Sequence, residues 1–281
     1  MGALPPYAII FSVWLAVSAW SGATAAQEVA IPREHHCWGS FQPGAWKLVR
    51  VVTQTLDDEG RVSSTSSTET RTTLLRADES GVTLHVEVCM EVAGKQFETQ
   101  PQTVRQDYYG ELTCQNMKVQ REEDGQVMVE GTTIPCKVLQ LECKEPNSQT
   151  QTRVYYSDSV VPHVLKRESV TTSADNDKSL GESSIEVVAR NMPYNVLSEI
   201  KSAAYLKQVH KHPKGRNVTW VVMSTDVPGG VVSQSSKESD QVGRIIRRST
   251  LELLDYGLTP QPERTGLFGR KRSTRYRKLV N

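Results

Sequence analysis

The stretch that decides the fold is residues 83–91, which reads TLHVEVCME. Apolar residues occupy every second position: Leu84, Val86, Val88 and Met90. Successive side chains of a β-strand point to opposite faces, so this period of two predicts a strand with one buried face. The stretch therefore indicates a fold dominated by half-buried antiparallel strands.

Turn-forming clusters divide the surrounding sequence into pieces of strand length. Gly and Asp supply the backbone geometries that close antiparallel hairpins. The clusters lie at residues 57–60, 78–81, 93–95 and 123–125. Between the first two, residues 63–73 are rich in Ser and Thr and include no large apolar residue. Because Thr favours strands, we predict a solvated edge strand there.

A different periodicity follows Pro193. Apolar residues recur at helical spacing until Pro213 stops the pattern: Val196, Leu197, Ile200, Ala203 and Ala204. This spacing predicts one amphipathic helix. The expected fold class is mainly β (α+β). A long antiparallel meander would form a curved sheet or half-barrel, with the helix packed on it.

We expect six segments along the chain, arranged as one domain or as two related β units. They are a signal peptide (1–26), an N-terminal extension (27–43), an antiparallel β meander (44–190), a helix (191–214), a second β unit continuing the same sheet or domain (215–258) and a basic disordered tail (259–281).

The first 26 residues resemble an export signal. Residues 7–20 are nearly all apolar, and the small residues 22–26 precede the polar pair Gln27 and Glu28. An apolar run of this length before an Ala-x-Ala-type site is typical of a signal peptide. It is short for a transmembrane helix, which needs about 20 apolar residues. We predict export to the periplasm or the medium, with no membrane span after cleavage. An uncleaved N-terminal anchor is the alternative.

The charge distribution separates an acidic body from a basic tail. The chain has 33 basic and 32 acidic residues. Seven basic residues and no acid lie after Glu263: Arg264, Arg270, Lys271, Arg272, Arg275, Arg277 and Lys278. Removing these seven leaves 26 basic against 32 acidic residues, a net charge of −6. From Arg270 onward, these residues are predicted to contact an anionic envelope surface, and a merely solvated tail is the alternative. Export argues against nucleic acid as a partner.

Export also permits disulfides. The five cysteines are Cys37, Cys89, Cys114, Cys136 and Cys143. Cys136 and Cys143 are too far apart on one strand to bridge each other. A hairpin centred on residues 124–125 would place Cys114 near Cys136, so we predict that bridge. Five reduced thiols are the alternative.

The residues His35, His36 and Cys37 concentrate potential metal ligands. Imidazole and thiolate suit zinc or copper. Adjacent side chains on an extended chain point in opposite directions, so a closed metal site needs a further residue such as His163. A disordered N-terminus without metal is the alternative.

The sequence predicts no catalytic residue and no cofactor. It lacks Gly-x-Ser-x-Gly, Walker A, Gly-x-Gly-x-x-Gly, His-Glu-x-x-His and Cys-x-x-Cys motifs. Ser198 and Lys201 fit Ser-x-x-Lys, but the Lys-Thr-Gly element that accompanies it in penicilloyl-type enzymes is missing. The basic cluster around His210 and His212 is expected to complement the dipole of the predicted helix.

A weak internal repeat links residues 155–162 (YYSDSVVP) to residues 221–228 (VVMSTDVP), 66 positions later. Each copy predicts a strand, a short polar loop closed by Val-Pro and a second strand. Chance similarity between two hairpins is the alternative. With residues 135–138, the first loop resembles uncharacterised exported β-rich proteins of bacterial cell envelopes. It is also similar to periplasmic lipoprotein carriers, which implies a curved antiparallel sheet around helices with an apolar cavity. The resemblance spans residues 130–257 and transfers no functional residue.

These features favour an exported, non-enzymatic binding or carrier protein of the cell envelope, with an apolar or lipid-like ligand. One alternative is an envelope structural or assembly protein that binds protein or polysaccharide through its sheet edges and tail. Another is a hydrolase that uses His85 or His163 beside carboxylates. An empty apolar cavity would support the carrier, whereas the assembly protein predicts a sheet interior filled by side chains.

Overall fold

The computed structural model describes residues 31–92, 94–109, 117–175 and 178–260. These residues form fourteen β-strands and one turn of 3₁₀-helix, Arg33–His35. The strands are β1 (Trp46–Leu56), β2 (Val62–Asp78), β3 (Gly81–Val92), β4 (Lys95–Glu98), β5 (Gln102–Gln106), β6 (Met117–Val129), β7 (Thr132–Glu145), β8 (Ser148–Tyr156), β9 (Val164–Ser173), β10 (Ser179–Val196), β11 (Glu199–His212), β12 (Gly215–Met223), β13 (Val231–Asp240) and β14 (Ile245–Gly257). No described helix has the length and apolar character needed to cross a membrane.

All the described strands belong to one antiparallel sheet. Its order is β4–β3–β2–β1–β14–β13–β12–β11–β10–β9–β8–β7–β6, and β5 pairs with β3 next to β4. Strands β1 and β14 pair along nearly their whole length, from Trp46 opposite Gly257 to Thr55 opposite Arg247. The first and last strands therefore lie side by side in the middle of the sheet, and the other strands extend as meanders on both sides.

The sheet curls on itself around its core. Leu74 and Leu84, from β2 and β3, pack in one cluster with Leu139 and Val154, from β7 and β8. These two pairs of strands are far apart in the strand order. A single cluster with members from both pairs therefore requires the two halves of the sheet to face each other across it.

Two further clusters complete the interior. One joins β6 and β7 to β9–β12, and its members include Cys136, Leu165 and Leu206. The other joins β1 to β13 and β14 through Val49, Val232 and Leu253. The core is therefore distributed along the whole sheet.

The strand predicted from residues 83–91 is present as β3. Val82 and Leu84 are buried on its inner face, and Met90, near its end, is exposed. The prediction of an edge strand for residues 63–73 was wrong, because β2 lies between β1 and β3. Its threonines occupy internal positions, as Thr70 does between Val49 and Val88.

The α+β fold class was also wrong, because the described residues contain strands and no α-helix. Residues 191–214, predicted as a helix, form the end of β10, a two-residue turn and β11. From Ala204 onward, β11 is paired on both sides, with β10 and β12. The preceding apolar residues fit helical spacing, but this part of the chain forms a strand because it hydrogen-bonds to strands on both sides. Ala204 and Leu206 are buried on one face of that strand.

Candidate functional site

The segment before the first strand, residues 31–45, packs against the curled sheet through its buried residues. Ile31 and Trp38 are buried in the cluster that joins β2 and β3 to β7 and β8. Gly44 N–H donates to Leu74 O at 2.7 Å, and Leu74 N–H donates to Ala45 O at 2.8 Å. The described part of the predicted N-terminal extension is thus a component of the core.

The two copies of the sequence repeat form closely similar loops, the β8–β9 loop (157–163) and the β12–β13 loop (224–230). Ser157 N–H donates to His163 O at 2.8 Å, and Ser224 N–H donates to Gly230 O at 2.9 Å. Both serines are buried. The loops therefore correspond at an offset of 67 residues, one more than the offset of 66 in the sequence repeat.

Both loops contact the N-terminal segment, residues 31–45. In the β12–β13 loop, Gly229 N–H donates to Cys37 O at 2.9 Å. In the β8–β9 loop, the ring of His163 stacks on that of His35, with centroids 3.5 Å apart and planes inclined by 14°. The repeat pattern was visible in the sequence, but its contacts with residues 35–37 join parts of the chain more than 100 positions apart.

A polar cluster surrounds the stacked histidines. His35 Nδ1 lies 2.5 Å from the Tyr156 hydroxyl, which donates to Asp158. Lys137 Nζ contacts the other carboxylate oxygen of Asp158 at 2.6 Å. His163 Nδ1 donates to Ser157 O at 3.0 Å. This cluster, called the histidine cluster below, consists of His35, Lys137, Tyr156, Asp158 and His163.

Three members of the histidine cluster have shifted pKa values. Burial and the neighbouring His163 lower the pKa of His35, against the opposing effects of Glu34 and Asp158. Burial and the hydrogen bond to Asp158 raise the pKa of Tyr156. Hydrogen bonds from Lys137 and Tyr156 lower the pKa of Asp158. The arrangement therefore favours a neutral His35, a neutral tyrosine and an ionised Asp158.

His36 and Cys37, which follow His35, are more strongly shielded from solvent. Burial lowers the pKa of His36 to about 4, and its Nδ1 accepts the Trp38 N–H at 3.3 Å. Burial also lowers the pKa of Lys47 to about 8 and raises that of the Cys37 thiol. Lys47 Nζ donates to Gly229 O at 3.3 Å, and it lies 5.6 Å from the ring centroid of Trp38. Through these contacts of Lys47, β1 packs against both the β12–β13 loop and the N-terminal segment.

The three predicted metal ligands do not converge on one point. His35 stacks on His163, and the ring of His36 lies 5.4 Å from that of Tyr108. Cys37 Sγ lies 4.0 Å from His36 Nε2, and the thiol also interacts with Lys47. The described ranges of the chain contain no group of three or more His, Cys, Asp or Glu side chains placed to hold a metal ion. The predicted site on His35, His36 and Cys37 is thus not formed, although the structure does place His163 beside His35.

The histidine cluster also lacks the geometry of a serine hydrolase. His163 contacts the carbonyl oxygen of Ser157, whereas the Ser157 hydroxyl donates to Pro135 O at 3.0 Å. A general base must contact the hydroxyl that it activates. His85, the other candidate for a hydrolase, lies on β3 between Thr73 and Thr103.

The remaining predicted residues are dispersed. Ser198 lies in the β10–β11 turn, and Lys201 pairs with Glu199 at 3.0 Å. His210 and His212 lie on β11, with ring centroids 5.7 Å apart. Because β11 is a strand, these two residues have no helix dipole to complement. The signal peptide and the basic residues of the tail, from Arg264 to Lys278, lie outside the described residues.

The predicted Cys114–Cys136 disulfide is wrong, because Cys136 carries a free thiol. The chain reverses at Glu130 and Gly131, both at positive φ, six residues beyond the predicted hairpin centre. This displacement places Cys136 opposite Gly125. Cys143 is disulfide-bonded, and Cys114 lies outside the described residues.

Two pockets test the carrier hypothesis. The first, lined by residues that include Val161, Ala204 and Met223, has a volume of about 30 Å³. The second is an open depression of about 580 Å³ whose lining is charged and polar, formed by Arg33, Arg76, Asp78, Glu79 and Ser80. A ligand of lipid size needs a largely apolar site of about 300 Å³ or more. Neither pocket meets that requirement.

Comparison with known proteins assigns no family. No family model matches the chain, and no curated protein matches it. Among solved structures, it is similar to a protein described as exported, with a YmcC-like fold, from Bacteroides fragilis (11% identity, TM-score 0.32, 77% of this chain and 97% of that one). It is also similar to a protein described as a lipoprotein from Parabacteroides distasonis (10% identity, TM-score 0.33, 76% and 97%). At TM-scores near 0.3, these similarities carry no argument about function.

Proposed function

We propose that the chain is an exported, non-enzymatic protein of the cell envelope that binds its partner on its outer surface. The observation that supports this choice is the packing of the interior. Three clusters of buried side chains line the sheet from β3 to β6, and the N-terminal segment adds Ile31 and Trp38 to one of them. A carrier for an apolar ligand would instead need an empty apolar cavity of ligand size.

The histidine cluster fits this proposal as a structural element. Its polar groups bind one another, and together they fasten the N-terminal segment to the β8–β9 loop. A connected network of hydrogen bonds of this kind, built around the buried Tyr156 hydroxyl, rigidifies the segments that it joins. A hydrolytic role has weaker support, because Ser157 and His163 do not form a nucleophile–base pair.

Lipid analysis distinguishes a protein that binds its partner on its outer surface from one that carries a lipid in its interior. The exported chain would be purified after processing, washed with salt and extracted with organic solvent, and the extract would be quantified by mass spectrometry. We expect no apolar molecule at a stoichiometric amount. One bound lipid per chain would contradict the proposal and favour the carrier.

Cell fractionation tests the envelope location. We expect the exported chain to sediment with envelope membranes, and a variant that ends at Glu263 to be released into the soluble fraction. A full-length chain found only in the soluble fraction would contradict an envelope role.

A further inference from the structure

Strand β12 has one face in the core and the other in solvent. Thr219 and Val221 are buried, and Val221 belongs to the core cluster that includes Leu206. Trp220, between them in sequence, lies on the opposite face of the strand and is 48% exposed. A single exposed apolar side chain is ordinary on a protein surface, so the residues around Trp220 decide whether it marks a site.

The strand register places polar residues beside Trp220, since residues directly opposite each other on paired strands lie on the same side of a sheet. Lys207 of β11 and Ser235 of β13 are the direct neighbours of Trp220. One row further along the strands, Lys237 of β13 lies directly opposite Arg248 of β14. The surface that we call the tryptophan face consists of Lys207, Trp220, Ser235, Lys237, Arg248 and Thr250.

Lys237 and Arg248 form an unfavourable pair. Both residues are exposed, and like charges directly opposite each other destabilise a sheet. The positions beside them in the same row hold Val218 on β12 and Gln54 on β1, neither of which carries a charge. The sheet therefore presents two adjacent cations with no carboxylate beside them in that row.

The carboxylates closest in sequence to these two cations are bound elsewhere. They form the ion pairs Glu238–Arg247 at 3.2 Å, Asp240–Arg244 at 2.8 Å and Glu252–Arg50 at 3.3 Å. Within the described ranges of the chain, no ion pair involves Lys237 or Arg248. Lys207 has only a distant partner, Glu186, at 3.9 Å. An anionic partner could therefore reach the tryptophan face without breaking a close ion pair.

The chemistry of the tryptophan face suits a sugar chain that carries carboxylates. The indole of Trp220 can stack on the apolar side of a sugar ring, and a guanidinium binds a carboxylate through two parallel hydrogen bonds. The hydroxyls of Ser235 and Thr250 can exchange hydrogen bonds with sugar hydroxyls. A bilayer would instead require an apolar face to enter it, whereas both direct neighbours of Trp220 are polar.

The spacing of the strands also suits such a chain. Adjacent strands lie about 4.8 Å apart, which is comparable with the length of one sugar ring. Successive sugars of a chain that crosses the strands would therefore meet successive strands, with Trp220 on β12, Lys237 on β13 and Arg248 on β14.

From this arrangement we infer that the tryptophan face binds an acidic polysaccharide. Trp220 stacks on a sugar ring, and Lys237 and Arg248 pair with the carboxylates of neighbouring sugars. Because the bound polyanion neutralises both cations, it also relieves their mutual repulsion. This inference rests on the proposed function and specifies its partner.

Calorimetric titration of the processed exported chain with three probes tests the inference. Oligogalacturonate supplies sugar rings and carboxylates, a maltooligosaccharide of the same length supplies the rings alone, and polyglutamate supplies carboxylates alone. We expect the tightest binding to oligogalacturonate, with an affinity that falls at high salt.

The contribution of the ring is measured with Trp220→Thr. This variant should bind oligogalacturonate about tenfold more weakly, whereas its affinity for polyglutamate should not change. Phe97→Thr is the matched control, because it removes an aromatic ring that is 54% exposed on the distant strand β4.

The contribution of the two cations is measured with a double variant, Lys237→Gln with Arg248→Gln. It should lose at least about tenfold in affinity for oligogalacturonate. Lys95→Gln with Lys118→Gln removes the same net charge from exposed positions on β4 and β6, and it should change the affinity little. Circular dichroism checks that all the variants are folded.

Lys237→Glu separates binding from folding. It places opposite charges across β13 and β14, so the urea midpoint should rise, while the affinity for oligogalacturonate should fall. A purely structural role of Lys237 would instead move stability and affinity in the same direction.

Three results would overturn the inference. They are equal affinity for polyglutamate and oligogalacturonate, unchanged binding in Trp220→Thr, and equal losses in the two double variants. Binding to phosphatidylglycerol vesicles that depends on Trp220, without binding to oligogalacturonate, would assign the face to a bilayer instead. If the chain sediments with envelopes but binds no oligogalacturonate, the envelope role survives and only this inference fails. If it does not sediment with envelopes at all, the proposed function itself fails.

Discussion

The imidazole rings of His35 and His163 stack at 3.5 Å, 128 residues apart in sequence, and join the N-terminal segment to the β8–β9 loop. Two protonated rings at this distance would repel each other. The pKa of His35 is accordingly lowered from its ordinary value of 6.5, first by burial and then by His163. The contact contributes stability above pH 6.5, and that stability is lost as the pH falls through the lowered pKa of His35.

Replacing His163 should therefore raise the pKa of His35. The His163→Asn variant removes both the facing charge and part of the burial. The Cε1–H resonance of His35, followed by NMR titration, should move its midpoint to higher pH than in the original chain. His210→Asn, a change on β11 remote from the cluster, serves as the control. An unchanged midpoint in His163→Asn would show that the stacking has no electrostatic effect on His35.

His36 should make stability depend on pH over a wider range. Its pKa is about 4 when folded and about 6.5 when unfolded, so the unfolded chain binds the proton more strongly. Its contribution to stability is present above pH 6.5 and is lost as the pH falls toward 4. The loss between pH 7.5 and 4.5 amounts to about 2–3 kcal/mol.

Asn at position 36 can keep the acceptor for the Trp38 N–H while removing the titration. His36→Asn should therefore reduce the difference in unfolding free energy between pH 7.5 and 4.5 by about 2–3 kcal/mol. Urea unfolding at the two pH values measures this difference. An identical pH dependence in the variant and the original chain would contradict the assignment.

The β-strands and several turns could be predicted from the sequence because their signals are local. The alternation in β3 and the Gly-Asp clusters at residues 57–60 and 78–81 require only neighbouring residues. The β10–β11 hairpin was missed because Leu197 and Ser198 are not typical turn residues. Apolar positions on both sides of that turn happened to fit helical spacing as well.

The histidine cluster could not be predicted because long-range packing assembles it. The sequence predicts His35 as a metal ligand with His163 as a possible partner, and the structure brings the two rings together. Their other neighbours, Tyr156 and Asp158, belong in the sequence only to a repeat, which gives no reason to place them beside His35. Lys47 gave no signal at all, since its low pKa arises from burial against Trp38 and the β12–β13 loop.

The contact between the β12–β13 loop and Trp38 should leave no room for a side chain at Gly229. Gly229 has φ +71°, and an added Cβ would lie 2.6 Å from Trp38 Cε2. Gly60 has a similar φ of +78° but open space around it. Gly60→Ala should cost about 1 kcal/mol from the backbone alone. Gly229→Ala should cost about 2–4 kcal/mol, since Trp38 must also move.

Urea unfolding of both glycine variants measures these costs, and tryptophan fluorescence reports the displacement of Trp38. Equal costs for Gly229→Ala and Gly60→Ala would contradict the close packing of the loop on the N-terminal segment.

The cysteines should differ in reactivity. Cys143 is disulfide-bonded, whereas Cys37, Cys89 and Cys136 are free. The unfolded, unreduced chain should therefore react with alkylating reagent at the three free cysteines and not at Cys143. Peptide mapping before and after reduction identifies the partner of Cys143, and Cys114 is the remaining cysteine of the sequence. Protection of Cys136 from alkylation would contradict the β6–β7 register.

The turn of the β10–β11 hairpin should become more stable when Leu197 is replaced. Leu197 and Ser198 both have positive φ, at 48° and 77°, as in a two-residue type I′ turn. Leucine pays a steric penalty there of about 1–2 kcal/mol, which Asn largely avoids. Because Leu197 is partly exposed, its loss removes little packing. Leu197→Asn should therefore raise the free energy of unfolding by about 0.5–1 kcal/mol, measured by urea denaturation. Leu197→Val, which is β-branched, should lower it, and the opposite order would show that the turn does not have this geometry.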